Sequence, residues 1–223
     1  MKRLLLASAV LGLASTVGIA NAAIINSASV EIWGADTPSP NNNSGAPVQQ
    51  ALPSASALLP LLTNNPTYVA PINYNDSTNN TVAGFFTTAG NPIPPNCVVG
   101  QCQSQPLSNA GFAHVTLFEF TFTVATSGTL TVTHDDGISL FATGTTTTNL
   151  IPGQSAPTTS QVGSATIGAG TYDLWYSESN GLPAILTADF VPTVSAPEPA
   201  SLTLIGSALV GLGWLVRRRR KSA

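Results

Sequence analysis

Every lysine and arginine of this 223-residue chain lies within its first three or last seven residues: Lys2 and Arg3 at the front, Arg217 to Arg220 and Lys221 at the back. Each cluster abuts an apolar segment, Leu4 to Ile19 and Ala200 to Val216. From Ala23 to Ala196 the only side chains able to carry positive charge are His114 and His134. The middle of such a chain must fold without a single Lys or Arg ion pair. Its ends are addressed to a membrane and to processing enzymes.

At the front, Lys2 and Arg3, the run from Leu4 to Leu13 and the small residues of Ala20-Asn21-Ala22 have the three parts of a secretory signal peptide. Signal peptidase is expected to cut after Ala22, and the apolar run is short for a spanning helix. At the back, a helix over 200–216 rises about 1.5 Å per residue and spans roughly 25 Å, slightly short of a bilayer core. Trp214 suits the interface, and the basic cluster is expected to stay cytoplasmic, which leaves the body outside the inner membrane. A proline ahead of the helix keeps it from extending backwards.

Pro197-Glu198-Pro199, the apolar helix and the cluster Arg217, Arg218, Arg219 and Arg220 together resemble the PEP-CTERM sorting signal, over about the last 27 residues. The resemblance implies a Gram-negative exopolysaccharide producer. It also implies recognition by an exosortase, a cut near Pro-Glu-Pro, and a mature body at the cell surface or in the extracellular matrix. A plain C-terminal anchor would give the same topology without processing.

The body carries nine acids: Glu31, Asp36, Asp76, Glu119, Asp135, Asp136, Asp173, Glu178 and Asp189, the tenth of the chain's ten being Glu198. With no basic side chain to offset them its charge is near −9, although the whole chain is −3. Nothing in it can neutralise phosphates, so nucleic acid is excluded as a partner. Acidic polysaccharide is repelled unless a divalent cation bridges it, which leaves neutral glycans or exopolysaccharide, cations and other proteins. Cys97 and Cys102, the only cysteines, stand five apart in a Pro-rich stretch with no His, Asp or Glu nearby. In an exported chain that spacing favours a local disulfide over a metal site.

Four parts are expected: a signal peptide (1–22), a loop-rich region with edge strands (23–111), a β-sandwich core (112–192) and the sorting signal (193–223). Residues 24–34 read as an opening strand, 36–60 as loop with a short helical turn, and 67–74 and 82–87 as edge strands. From His114 to Val124 apolar and polar residues alternate, and they do so again from Thr129 to His134. Asp135-Asp136-Gly137 breaks the pattern before Ile138 to Phe141 resumes it. Tyr172, Leu174 and Tyr176 share one face of a later strand, and Ala184 to Val191 makes the last. Short strands at this spacing, without a clear helix, predict an all-β, antiparallel, jelly-roll-like sandwich.

The stretch Thr133 to Phe141 and the later Gly170-Thr171-Tyr172 entry into a strand resemble the protective-antigen-type β-sandwich of flocculin adhesins, over roughly Phe112 to Phe190. The resemblance implies that Asp135 and Asp136 hold a calcium ion that ligates sugar hydroxyls. The later loop that supplies the remaining ligands does not align; Asn180 and the carbonyls near Gly181 are the candidates there, and Trp175 is a candidate sugar contact. Two carboxylates on a tight turn do supply hard oxygen donors. The other reading of Asp135-Asp136-Gly137 is a turn stabilised by its own backbone. Trp175, on the face opposite Tyr172, Leu174 and Tyr176, is either exposed to stack on a sugar ring or part of a core.

No catalytic residue is expected. His134, Asp135 and Ser139 do not form a triad by spacing, because neighbours on a strand point to opposite faces. Neither G-x-S-x-G nor H-E-x-x-H occurs. The sequence thus reads as an exported, non-catalytic surface protein that binds carbohydrate or serves purely as matrix. A secreted glycosidase is the remote third reading, since no acid pair is marked at the required separation.

Overall fold

The computed structural model describes residues 22–36, 46–94, 97, 102, 104–193, 206–212 and 217. Residues from Asn21 to Thr193 form one compact unit. Among the described residues it holds ten strands in two five-stranded sheets, and every pairing between them is antiparallel. Sheet A runs β1 (Ala23–Ile24), β10 (Ala184–Pro192), β6 (Gly128–Asp135), β8 (Gln161–Ile167), with β4 (Asn73–Asp76) also on β10. Sheet B runs β3 (Leu61–Ala70), β2 (Ala28–Asp36), β5 (His114–Val124), β9 (Gly170–Glu178), β7 (Gly137–Ala142).

Alternation explains the layering. Along β5, Phe118, Phe120, Phe122 and Val124 are buried in the main core, while Glu119, Thr121 and Thr123 face away from it. Leu130 and Val132 of β6 and Leu186, Ala188 and Phe190 of β10 enter the same core from sheet A. The two layers meet where the Tyr74 and Phe120 rings stand 5.5 Å apart. Burying aromatic rings of this size supplies much of the drive to close the sandwich.

Two expected strands prove to be split between the sheets. Ile25 donates to Ala188 of sheet A, and the chain then crosses at Asn26-Ser27 so that Ala28 begins β2 in sheet B. The stretch 67–74 likewise divides at Pro71, which cannot donate to a ladder, into the end of β3 and the start of β4.

Residues 82–87 are not an edge strand. They form most of helix α2 (Val82–Thr88), capped by the Thr81 hydroxyl, which accepts from Gly84 N–H at 3.0 Å. A strand would send the adjacent Phe85 and Phe86 to opposite faces and leave one in water. The helix buries both, with Phe85 stacked on Tyr74 and Tyr176 and Phe86 edge-on to Tyr74.

A second, smaller core lies on the outer face of sheet B. A 3-10 turn (Pro47–Gln49) and helix α1 (Pro53–Ser56) lie across that face, where Ala51, Ala55 and Leu59 cover Trp33, Val115, Leu117, Phe141 and Trp175. Ser139 and Ser177 pin this strap by donating to the carbonyls of Ala51 and Gln49.

Residues 1–21 of the expected signal peptide lie outside the described residues, as do Pro197, Glu198, Pro199 and Arg218 to Arg220. Of the expected helix over 200–216, residues 206–212 are described, and they are helical. Among the described residues no helix is long and apolar enough to cross a membrane.

Candidate functional site

β6 ends at the acid pair, and β7 begins with Gly137. A Cβ at Gly137 would stand 2.3 Å from the Ser155 carbonyl oxygen, because the loop between β7 and β8 passes directly over it. Ile138 N–H donates to Gln154 O in the same loop at 2.7 Å. Only glycine fits there, so the third residue of Asp135-Asp136-Gly137 is set by packing against a segment some twenty residues further on.

The two carboxylates fasten loops. Asp136 accepts from Thr158 N–H at 3.1 Å, from Ser179 N–H at 3.0 Å and from Asn180 N–H at 2.9 Å. Asp135 accepts from the backbone of Ser160. The pair therefore ties the β7–β8 loop and the β9–β10 loop to one end of the sandwich. This is wider than the local turn read from the sequence, since the N–H donors come from two distant loops. The peptide bond between the two aspartates is cis. His134 completes the turn, its Nδ1 donating to the Asp136 carbonyl and its Nε2 lying 3.0 Å from the Gln154 side-chain amide. Burial pushes the imidazole below its usual range, and these two contacts oppose that shift.

Both carboxyls are driven toward their protonated forms. Burial first, and then the neighbouring Asp136 charge, push Asp135 up to about 6. Burial raises Asp136 as well, against the pull of its N–H donors. Asp136 is 1% exposed and Asp135 9%. Among the described residues no group of three or more His, Cys, Asp or Glu is placed to hold a metal ion. A cation at the pair would have to complete its shell from backbone, hydroxyl or water oxygens.

Asn180 does reach this end, through its backbone N–H on Asp136, and the residue is exposed. Trp175 does not. It is 5% exposed and stacks on Trp33 with centroids 5.4 Å apart and planes 24° from parallel, beneath the strap of residues 47–59. Of the two readings of Trp175, exposed platform or core, the burial fits the core: the strap, read from the sequence as loop with a short helical turn, covers that face.

Glu178 escaped the sequence reading. It is fully buried, with Oε1 accepting from the Ser108 hydroxyl at 2.8 Å and Oε2 lying 2.7 Å from the Tyr176 hydroxyl. Tyr176 also donates to the Asp135 carbonyl. Ser108 in turn accepts from Gly181 N–H at 2.9 Å, and its backbone is held by the Asn80 side chain. The signal was present: Glu178 shares the parity of Leu174 and Tyr176, which puts a carboxyl on an apolar face. Elsewhere, Cys97 and Cys102 form a disulfide with Cα atoms 5.0 Å apart.

Fold and site define a class: a two-sheet antiparallel β protein with a buried acidic cluster at one end and an export address at the C-terminus. Residues 195–220 match the PEP-CTERM protein-sorting motif, which marks an exported protein. Among solved structures, the body is similar to the PA14 sugar-binding domain from an RTX adhesin, at 14% identity and a TM-score of 0.43, covering 77% of this chain and 93% of that one. No curated protein matches the sequence.

Proposed function

We propose that this chain is a non-catalytic surface protein, exported through its N-terminal signal and processed at its sorting motif by an exosortase, whose body binds neutral glycan through a calcium ion at Asp135 and Asp136. The observation that carries the site is an acid pair without a counter-charge. Two adjacent carboxylates are desolvated at one end of a body that contains no Lys or Arg, and a divalent cation relieves their repulsion. Its oxygen donors suit calcium, whose waters exchange readily for sugar hydroxyls.

Topology supports display. Ala23 pairs with Phe190, and Thr193 N–H donates to Ser127 O, so both ends of the body lie where β6 begins. The acid pair lies where β6 ends, eight residues further on, or about 25 Å at the usual strand rise. Thr193, the last described residue of the body, thus lies at the end remote from the acid pair.

A second reading, a purely structural matrix protein, is favoured by one observation: three N–H donors already occupy the Asp136 carboxylate. A thermal melt of residues 23–196 in calcium and in chelator, beside Asp135→Ala, separates the two. A calcium-dependent rise abolished by the variant, with calcium-dependent signals on a neutral-glycan array, supports the glycan reading. Superimposable curves and a blank array leave the acid pair as a loop clamp and the protein as matrix.

A further inference from the structure

We infer that Glu178 is held as a neutral carboxylic acid that donates its proton to Tyr176, making it the positioning residue that fixes the Asp135 turn. The inference concerns the protein's own protons and does not rest on what the acid pair binds.

The reason is a count of protons. The Tyr176 hydroxyl has one, yet it contacts two oxygens, the Asp135 carbonyl and Glu178 Oε2. A backbone carbonyl can only accept, so the Tyr176 proton belongs on that contact; without it, two lone pairs would face each other. The Tyr176–Glu178 contact then needs a second proton, and Glu178 alone can supply it. Its Oε2–H donates to the Tyr176 oxygen, and its Oε1 remains the acceptor for Ser108. Ser108 is consistent with this, because its single proton goes to Glu178 while its oxygen receives the Gly181 N–H. Every polar atom of the chain from Gly181 through Ser108, Glu178 and Tyr176 to the Asp135 carbonyl is satisfied, and no charge is left buried.

The surroundings agree. Ser108, Tyr176 and Glu178 are each fully buried. The titratable groups bearing on Glu178 are Tyr176 on its own strand and Asp136 and Asp135 at the end of β6, none of them cationic. The imidazoles at this end are His134, bonded to the Asp136 carbonyl and Gln154, and His114 on β5, near Gln105. Ionising a fully buried carboxyl whose two contacts are neutral hydroxyls would cost its desolvation, which retaining the proton avoids. The chain of hydrogen bonds joins β9, the Ser108 loop and the acid pair, so the geometry of the pair depends on that proton.

The test uses the full chain purified in detergent, with Glu178→Gln, Glu178→Leu and Tyr176→Phe beside the wild type. Infrared difference spectra at pH 8, above the range where Glu119 and Asp135 titrate, should contain a protonated-carboxyl C=O stretch in the wild type that Glu178→Gln removes. Glutamine is neutral, donates from Nε2 toward Tyr176 and accepts at Oε1 from Ser108. It should melt within about 2 °C of the wild type at pH 7, while leucine and Tyr176→Phe each lower the melt by several degrees. Absence of the band from the wild type would overturn the inference. So would a Glu178→Gln protein that melts as low as Glu178→Leu or fails to fold.

Discussion

Glu119 stands directly opposite Glu31 in the ladder between β5 and β2, two like charges as cross-strand partners on the outer face of sheet B. Asp173 joins them from β9, its carboxylate accepting from the hydroxyls of Thr121 at 3.0 Å and Thr143 at 2.8 Å. Like charges in this position destabilise a sheet, and the body has no Lys or Arg to separate them. Burial first, then the Asp173 and Glu31 charges, push Glu119 up to about 7, and burial and Asp173 raise Glu31.

The pH dependence follows from those directions. A carboxyl raised in the folded state binds its proton more tightly there than in the unfolded chain, so stability falls as pH rises. For Glu119 the loss begins near the ordinary glutamate value of 4.5 and is complete above about 7. The body is expected to melt lower at pH 8 than at pH 5. Glu119→Gln should flatten that part of the profile and stabilise the protein at pH 8 by roughly 1 kcal/mol after allowance for solvent screening. Urea unfolding across the pH range measures both, and a wild-type stability that rises between pH 5 and pH 7 contradicts the prediction.

Asp136→Ala removes an acceptor from three backbone N–H groups in two loops. A loss of about 2–4 kcal/mol is expected, because hydrogen bonds to charged acceptors are strong and the buried Ser179 N–H would lose its acceptor. Amide exchange at Thr158, Ser179 and Asn180 should accelerate together. Unchanged exchange at any of the three would show that its clamp is dispensable.

Trp175→Ala is expected to cost about 3–5 kcal/mol in the absence of any ligand, through the cavity left under the strap and the lost stacking on Trp33. In the native protein Trp175 should be shielded from acrylamide quenching. A freely quenched, stability-neutral Trp175 would restore it as a surface contact.

Gly137→Ala places a methyl 2.3 Å from the Ser155 carbonyl oxygen, and backbone has little room to yield. The expected cost is about 2–3 kcal/mol. Its signature should be faster exchange of the Ile138 amide, which donates to Gln154 O of that loop. A variant as stable as the wild type would mean that the loop moves freely.

Alternation made β5 and β6 legible, since the Phe118, Phe120, Phe122 series and the Leu130, Val132 pair each mark one buried face. It failed at Phe85 and Phe86, where adjacent aromatics carry no periodicity and a Thr81 cap with a waiting core decided for helix. It was equally silent about Trp175, because whether the outer face of a sheet is wet depends on what lies across it. The site divides in the same way: Asp135, Asp136 and Gly137 stand together in the chain, but Ser108 and Glu178 are brought to them only by folding.

By itself the sequence determined the C-terminal sorting motif, the charge of the stretch from Ala23 to Ala196 and the strand-rich class, because motifs, charged residues and period-two patterns are local properties of a chain. Tertiary structure decided which of the nine acids lose their water, which loops Asp136 fastens, and that Trp175 is a core residue. Burial, hydrogen-bond partners and the distance between charges depend on contacts between residues far apart in the chain, such as Gln49 and Ser177, 128 positions apart.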